Sequence, residues 1–431
     1  MFNRYAKVSA DGVYTAAPKK LSKFKYISMM VARVSIVDIA YSTLAQAVTV
    51  AVRFSAVRRQ GFKDTTADTS GGTSIQSEHV VLDYQMQQYR IFKALSLAYC
   101  LLWNKRYIVD FIRRVKGAIE GGDESAADGL PELHATLSGL KASSTVWAHA
   151  GIEDCRKCCG GQGFLKSSGI ARLSPNFSEW VTVEGEQVIL SLQCARFLIK
   201  AVGDVAAGRN VAESARYLRD APLQAVDLSS AEGIVDLLKD RARRVAVRTA
   251  SKFSAAMGRG LSFDAALNSV AAQACKASEC HVGYFMMLNN LVALGDYFGE
   301  HPRTKTVMRA MLELHGLIQV RENLGDWVGL ITDAHVDELE DRVAAALSRV
   351  RPEAVGLVDA FGFLDSQLDS TLGRADGNVY EAIYDAAKEN PLNLNDGGKM
   401  VGWDTYAAVL DLDFLKETEK RQRVAAVSAR L

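Results

Sequence analysis

Two short motifs in the 431-residue chain contain residues that could bind a ligand or accept a proton. The first is a glycine-rich segment, Gly160-Gly161-Gln162-Gly163, and the second, further along the chain, is Glu184-Gly185-Glu186. Glycine lets the backbone approach a phosphate or a sugar, because no side chain stands in the way. A carboxylate held at a turn before a helix could act as a base toward a bound carbon acid. Together the motifs suggest a cofactor site and a catalytic base.

Each motif also has a plain structural interpretation. Apolar periodicity predicts a helix that stops at Gly160 and Gly161, as helices commonly do, and another helix that starts just after Glu186. Glu184 could therefore be no more than a capping acid on a surface loop. The segment 164–185, which contains Pro175 and lacks a long apolar period, is predicted to be a crossing loop. Neither motif is specific by itself.

The rest of the chain has helical periodicity, so the predicted fold class is all-α with two helical bundles. Helices are expected near 21–60, 83–120, 131–159, 187–203, 228–257, 262–298, 303–323 and 334–350. A Thr/Ser/Gly-rich loop is expected at 61–81 and an acidic turn at 119–130. A break near 204–227 separates the two bundles.

Composition limits the function classes. With 48% hydrophobic residues, the chain can bury large cores. Its net charge of +1 creates no overall electrostatic field that would attract nucleic acid. The apolar stretch 27–52 contains Arg33 and Asp38, so it predicts a buried bundle helix and no membrane span. Seven cysteines without disulfide-framework spacing suit a reducing compartment. Cys155, Cys158 and Cys159 lie on a predicted helix without a second ligand pair, which argues against structural zinc.

Segments spread in order over about residues 2–395 resemble the acyl-CoA oxidase family, the peroxisomal branch of the acyl-CoA dehydrogenase fold. That family has Cys-Gly-Gly-His-Gly-Tyr where this chain has 159–164, Thr-Phe-Glu-Gly-Glu-Asn at 182–187, and Gln-Thr-Ala-Arg-Phe-Leu at 193–198. Further matching segments are 26–33, 53–60, 83–89, 133–135, 139–142, 351–361 and 373–380.

The resemblance implies α,β-dehydrogenation of a fatty acyl-CoA, with FAD as cofactor and O2 as oxidant, giving trans-2-enoyl-CoA and H2O2. Glu184 takes the position of the family's catalytic base, which removes the α-proton. The residues expected to bind the cofactor are Arg58, Gln60, Gly160, Gly161 and Glu186. The resemblance also implies a homodimer in which Arg58 and the glycine turn serve the neighbouring subunit's flavin. For Arg58 the alternative is an ordinary arginine on a helix surface.

The chain also departs from the family pattern. Gln162 replaces the usual histidine, Val183 replaces the aromatic residue before the base, and Gln187-Val188 replace Asn-Thr. The last two changes flank Glu184 and are compatible with relaxed cofactor contacts, altered chain-length preference or decay. The family's N-terminal helical and middle β domains are absent from the chain. Three hypotheses therefore remain: an acyl-CoA oxidase, a non-catalytic helical partner of larger homologues, and a soluble helical binding protein.

The expected domain organisation follows the resemblance. Residues 1–20 are expected to be a remnant of the strand that leaves the missing middle domain, which Phe2–Ala6 resemble, followed by a linker. The first bundle is expected at 21–205, a linker at 206–227, the second helical domain at 228–390 and an extension at 391–431. The chain finishes with Ala429-Arg430-Leu431, which resembles the Ser-Lys-Leu peroxisomal address. We therefore expect recognition by the peroxisomal import receptor and residence in the peroxisome.

Overall fold

Helices dominate the computed structural model, which describes residues 6–16, 24–62, 78–120, 129–297, 300–390, 393 and 417. The all-α prediction is confirmed. In this described part of the chain the strands form two short antiparallel hairpins, β1 (Lys7–Val8) with β2 (Tyr14–Thr15) and β3 (Arg59–Phe62) with β4 (Glu78–Val80). The expected strand at Phe2–Ala6 and the terminal Ala429-Arg430-Leu431 lie outside the described residues, apart from Ala6.

The first bundle is built from long helices that bury small and branched apolar residues. They are α1 (Phe24–Val57), α2 (Gln85–Glu120), α3 (Leu130–Cys158) and, after a connecting segment, α5 (Gln187–Ala206). Helix α1 packs against α2 and α3, and α3 also packs against α5. Pro131 lies in the first turn of α3, where its missing N–H leaves no helical hydrogen bond unmade. All of the predicted site residues lie in this bundle, at the ends of its helices or in the segments that connect them.

The connection between α3 and α5 is more ordered than predicted. Three 3-10 turns, Gly160–Phe164, Lys166–Ser168 and Ile170–Arg172, lead into helix α4 (Leu173–Thr182). The prediction of a crossing loop over 164–185 is therefore wrong for most of its length. Pro175 did not prevent the helix, because it occupies the third helical position, where backbone N–H groups have no intrahelical acceptor. Buried Phe177 anchors α4 to the bundle.

The second bundle follows a short 3-10 turn, Glu213–Arg219. Its helices are α6 (Ala231–Gly258), α7 (Phe263–Ser269), α8 (Ala271–Tyr297), α9 (Pro302–Arg321) and α10 (Asp333–Val350). Helix α6 packs against α8 and α9, and α9 packs against α10. The single helix predicted over 262–298 is wrong, because Val270 leaves the helical conformation. The Val270 side chain is buried in an apolar cluster with Phe253 and Leu267, and the break at Val270 separates the short α7 from α8.

Helix α1 also ends earlier than predicted. It stops at Val57 instead of continuing to 60, since Arg59–Phe62 pairs with Glu78–Val80 as a hairpin. Gly61, at φ 79°, adopts the left-handed conformation that a side chain disfavours. The predicted loop at 61–81 thus has paired ends, while 63–77 lie outside the described residues.

The two bundles belong to one compact unit, Met1–Gly377. Helix α5 joins them, because it packs against α3 on one side and against α6 and α8 on the other. The linker predicted at 206–227 lies between the bundles, and the domain boundaries stay a prediction. The unit also contains the 3-10 turns Val81–Asp83, Leu324–Trp327 and Arg351–Glu353 and the short helices α11 (Ala354–Asp359) and α12 (Asp365–Leu368). A second unit, from Asn378, contains α13 (Val379–Lys388).

Among the described residues one helical stretch, Met29–Val57, is long and apolar enough to cross a membrane. More than half of its most apolar window, 56%, is buried inside the structure. Core helices of soluble proteins have the same length and composition, so the stretch is weak evidence for a membrane span. Buried Arg33 within it donates a hydrogen bond to Ser138 of α3, which ties this helix to the bundle.

Candidate functional site

Glu184 lies on a tight turn between α4 and α5. Its φ is 57°, and that of the following Gly185 is 113°. A positive φ is uncommon for a residue other than glycine, since Cβ then crowds the backbone. The Glu184 side chain is exposed, so the turn presents a carboxylate at the surface of the bundle. Backbone strain of this kind is found disproportionately at functional sites.

Glu186 begins the next helix. Its carboxylate accepts a hydrogen bond from the backbone N–H of Val188 at 2.8 Å, which makes it the N-cap of α5. A capping acceptor satisfies a donor that the first helical turn otherwise leaves unpaired. The sequence left open that Glu184 is the capping acid, but in the structure Glu186 caps the helix. Its predicted cofactor contact stays a prediction.

A buried lysine lies beneath this turn. Lys141, on α3, has no exposed surface, and its Nζ donates to the carbonyl oxygens of Val181 at 3.0 Å and Gly185 at 2.7 Å. Burial lowers the pKa of its ammonium group to about 8, and the nearby Arg33 guanidinium adds to this shift. The carboxylates of Glu186 and Glu184 act on this pKa in the opposite direction.

Arg33 adds a second buried cation on the same side of the bundle. Its Nη1 donates to Ser138 Oγ at 2.9 Å, whereas its Nε has no hydrogen-bond partner. Burial lowers the pKa of the guanidinium, and the Glu184 carboxylate opposes this shift. Burial and Arg33 together lower the pKa of His134. The turn that carries Glu184 thus lies above a cluster of basic groups.

The glycine turn after α3 has the open backbone that a cofactor would need. Gly160 has φ 59°, a conformation that favours glycine, and a Cβ added to Gly160 or Gly161 would meet no atom within 4 Å. Gly163 differs, because a Cβ there would lie 2.2 Å from the carbonyl oxygen of Arg156. The first two glycines therefore leave accessible backbone, which fits the approach of a phosphate or sugar, and the third is needed for packing.

Arg58 and Gln60 lie where α1 turns into β3. The backbone N–H of Arg58 bonds to Phe54 O at 2.8 Å, and its carbonyl accepts from Val81 N–H at 2.8 Å. The exposed Gln60 offers its carbonyl oxygen to the Tyr84 hydroxyl at 2.9 Å. These backbone contacts fix the position from which a guanidinium could reach a diphosphate.

Gln87, in the first turn of α2, joins these two parts of the predicted cofactor site. Its amide donates to Ser55 Oγ at 3.0 Å and to the carbonyl of Cys158 at 2.8 Å. Ser55 lies on the last turn of α1, just before Arg58, and Cys158 ends α3, just before Gly160. One side chain therefore fixes the Arg58 segment next to the glycine turn. The sequence matched this Gln only as part of a motif and gave it no role.

The predicted site residues fall into two separate groups within one chain. Arg58, Gln60, Gly160 and Gly161 gather near Cys158, whereas Glu184 and Glu186 gather above Lys141. Both contact points lie on α3, 17 residues apart, which corresponds to about 25 Å along a helix axis. A single chain therefore does not bring all six residues around one small ligand.

The segment after the glycine turn is covered by a much later part of the chain. Ser167 O accepts from the backbone N–H of Thr371 at 2.9 Å and from its hydroxyl at 3.0 Å. Ser370 donates through its hydroxyl to Ser168 O, and Arg172 pairs with Asp369. Residues 369–371 thus hold the chain between the glycine turn and α4.

The cysteines near the glycine turn are buried. Burial raises the pKa of the Cys158 thiol to about 12, and the pKa values of Cys155 and Cys159 are also raised. Among the described residues, no group of three or more His, Cys, Asp or Glu side chains is arranged to hold a metal ion. These cysteines therefore pack as small apolar residues.

Exposed apolar side chains surround the two groups. Ile189 is 64% exposed and Phe164 77%, with Leu165, Val183 and Val188 also exposed. Exposed apolar residues grouped around a candidate site indicate a surface that contacts a ligand or another protein segment.

Comparison with known proteins identifies the family. The family model described as "Acyl-CoA oxidase, C-alpha1 domain" matches residues 26–199, and the one described as "Acyl-CoA oxidase" matches residues 230–406. The peroxisomal acyl-coenzyme A oxidase 1 of Rattus norvegicus is 36% identical over 414 residues, covering 92% of this chain and 60% of that protein. The Homo sapiens protein of the same name is 35% identical, covering 91% of this chain and 59% of its own length.

Solved structures give the same result. Acyl-CoA oxidase-2 of Caenorhabditis elegans, bound with FAD, ascaroside-CoA and ATP, superimposes with a TM-score of 0.83 at 32% identity, covering 97% of this chain and 60% of that one. Acyl-CoA oxidase 1 of Arabidopsis thaliana gives a TM-score of 0.82 at 30% identity, covering 96% and 61%. The chain belongs to the acyl-CoA oxidase family, of which it comprises the C-terminal helical domains. It spans about 60% of the length of these relatives.

Proposed function

We propose that the chain supplies the catalytic base and part of the cofactor site of an FAD-dependent acyl-CoA oxidase. The reaction converts a fatty acyl-CoA and O2 into trans-2-enoyl-CoA and H2O2. The observation that carries this proposal is the exposed Glu184, held on a left-handed turn at the position of the family's base. An ordinary surface glutamate does not need that backbone conformation.

The chain's residues divide the chemistry between them. Glu184 accepts the α-proton of the acyl thioester, and Lys141 and Arg33 provide the positive field beneath the turn that carries this carboxylate. A bound flavin, which Arg58, Gln60, Gly160, Gly161 and Glu186 would hold, would supply the acceptor for the β-hydride and the electron transfer to O2. The thioester oxygen needs hydrogen-bond donors as negative charge develops on it.

The separation of the two residue groups supports a homodimer. In such a dimer one subunit's Glu184 would face one cofactor, while its Arg58, Gln60, Gly160 and Gly161 would contact the cofactor of the other subunit. In a closed two-fold dimer each subunit uses the same surface, so both sites are completed at once. A location in the peroxisome is part of the same proposal, because the R. norvegicus and H. sapiens relatives carry that word in their names.

Replacement of Glu184 by glutamine tests the proposed base. We suggest a chimera in which the N-terminal portion of the R. norvegicus relative precedes this chain, assayed for H2O2 released from a saturated acyl-CoA. Glu184→Gln keeps the shape of the side chain but removes the basic group, so kcat should fall by about a thousandfold. The matched control is Glu179→Gln, which alters an exposed carboxylate on α4. Near-parental turnover by Glu184→Gln would rule out the assignment.

The exposed apolar residues around the site favour a second candidate function. In this alternative the chain is a non-catalytic helical partner that associates with full-length homologues through the surface around Phe164 and Ile189. Light scattering of the chain mixed with such a homologue would then report a mixed dimer. A mixed dimer that binds no flavin at this chain's own site would favour the alternative over the oxidase.

A further inference from the structure

We propose that Lys141 is a positioning residue for Glu184. Its two hydrogen bonds hold the backbone on both sides of Glu184 and keep that residue in its left-handed conformation. The catalytic meaning of this role rests on the proposed function, whereas the structural role of the lysine does not.

The two acceptors explain how one ammonium group fixes the turn. Val181 lies in the last turn of α4, where carbonyl groups have no intrahelical partner. Gly185 follows Glu184, and its carbonyl points to the same Nζ. With 3.0 Å to Val181 O and 2.7 Å to Gly185 O, the lysine bridges the backbone across residues 182–184. The bridge closes the turn from the inside of the bundle and leaves the Glu184 side chain outside.

A lysine is an unfavourable choice for a site whose only purpose is packing. Taking a charge out of water costs free energy, and this cost often exceeds what the new contacts return. The groups that face Lys141 are Arg33 from α1, which is repulsive, and Glu184 and Glu186 from the turn, which are attractive. The attraction comes from the residues whose position the lysine controls. The buried lysine therefore orders the turn at a cost in the folding stability of the bundle.

Hydrogen exchange in the full chain separates this role from a packing role. In Lys141→Met the side chain keeps its length but loses its donors, so the backbone amides of Val183 and Val188, which donate to Glu179 O and to the Glu186 carboxylate, should exchange about tenfold faster, as expected for the loss of about one net hydrogen bond. The thermal midpoint should change little, because the loss of the hydrogen bonds to Val181 O and Gly185 O opposes the removal of a buried charge. The control, Lys157→Met, changes a half-exposed lysine on the same helix and should leave these amides unaffected.

The pH dependence gives a second readout that simple packing would not produce. Opening the turn exposes the ammonium group to water, where its pKa returns to about 10.5 from about 8. The open state therefore binds more protons between these values, and protection of the turn, corrected for intrinsic exchange, should rise from pH 8 to 10.5. In Lys141→Met this rise should disappear. Lys141→Gln, which keeps one donor group, should give intermediate protection and serves if the Met variant does not fold.

Two outcomes would overturn the proposal. One is unchanged exchange of the Val183 and Val188 amides in both Lys141→Met and Lys141→Gln, and the other is acceleration spread evenly over α3, α4 and α5, which would indicate general loss of packing. Activity in the chimera separates this test from that of the proposed function. If Lys141→Met loosens the turn and lowers kcat with little change in KM, both the positioning role and the proposed function stand. If the turn loosens in a chimera that has no oxidase activity at all, the positioning role stands and the proposed function fails.

Discussion

At the scale of single residues, the backbone conformation of Glu184 is not explained by the structural needs of the turn. A left-handed backbone costs a residue with a side chain about 1 kcal/mol or more relative to glycine. The neighbouring Gly185 also has a positive φ, and a Cβ there would come within 2.7 Å of Leu190. Glycine is required at 185 by geometry, but the acid at 184 is unfavourable for the turn. The proposed role of the carboxylate as a base would give a reason for an acid at this position.

Gly161 allows the proposed cofactor role to be tested without disturbing the fold. A methyl group at 161 meets no atom within 4 Å, and the residue is not in the left-handed region, so Gly161→Ala should leave the thermal midpoint unchanged. If FAD approaches this backbone, the same methyl should weaken its binding by about tenfold or more, as loss of close approach predicts. Flavin fluorescence quenching in the chimera measures the affinity.

The matched control for Gly161→Ala is Gly203→Ala, a site on α5 that also has no atom within 4 Å of the added Cβ. Flavin affinity should not change in this variant. Equal affinity in both variants would mean that the glycine turn does not line the cofactor.

The sequence predicted the candidate site only in part. The acid and the glycines could be located because their motifs are local, and the residues at 184–186 do form the expected turn. Lys141, Arg33 and Gln87 received no role, since their partners lie 32 to 105 residues away in sequence. Charged residues within apolar helical stretches were the available signal. Interpreting it required knowing which segments pack together.

At the scale of elements, the start of α5 depends on Glu186. Glu186→Ala removes the oxygen that caps the helix, so the free energy of unfolding should fall by about 1 kcal/mol. Glu186→Gln keeps an acceptor oxygen and should retain most of that stability. Urea unfolding of the two variants measures the difference, and an equal loss in both would show that charge, not capping, is what matters.

The elements themselves were predicted well where apolar periodicity is long. Helices α2, α3, α6, α9 and α10 begin and end within three residues of the predicted bounds. Errors occurred where tertiary contacts override local signals. Pairing of β3 with β4 shortened α1, Pro175 was compatible with α4 at its third position, and the burial of Val270 divided α7 from α8. These contacts are not visible in a single window of sequence.

At the scale of the whole molecule, two buried histidines should control stability in acid. Burial lowers the pKa values of His281 and His315 to about 4, and Lys93 also contributes to the shift of His315. Unfolding restores ordinary values near 6.5, so the unfolded chain binds more protons as pH falls below 6.5. Stability should decrease from pH 6.5 to 4, by about 2 to 3 kcal/mol for each histidine.

Urea unfolding at several pH values checks this expectation. The slope between pH 4 and 6.5 should become smaller in His281→Gln and His315→Gln, whereas the control His301→Gln changes an exposed side chain and should keep it. A slope that neither core variant reduces would assign the acid sensitivity to other groups.

The covering of Ser167 by Thr371 has a consequence for how the protein is made. The two residues are 204 positions apart, so the segment after the glycine turn leaves the ribosome long before the residues that cover it. At about 5–20 residues per second, the delay is roughly 10–40 s. During that interval the backbone carbonyls of Ser167 and Ser168 remain open to water and to other chains. The surface next to the glycine turn is therefore completed late in synthesis, after most of both bundles has emerged.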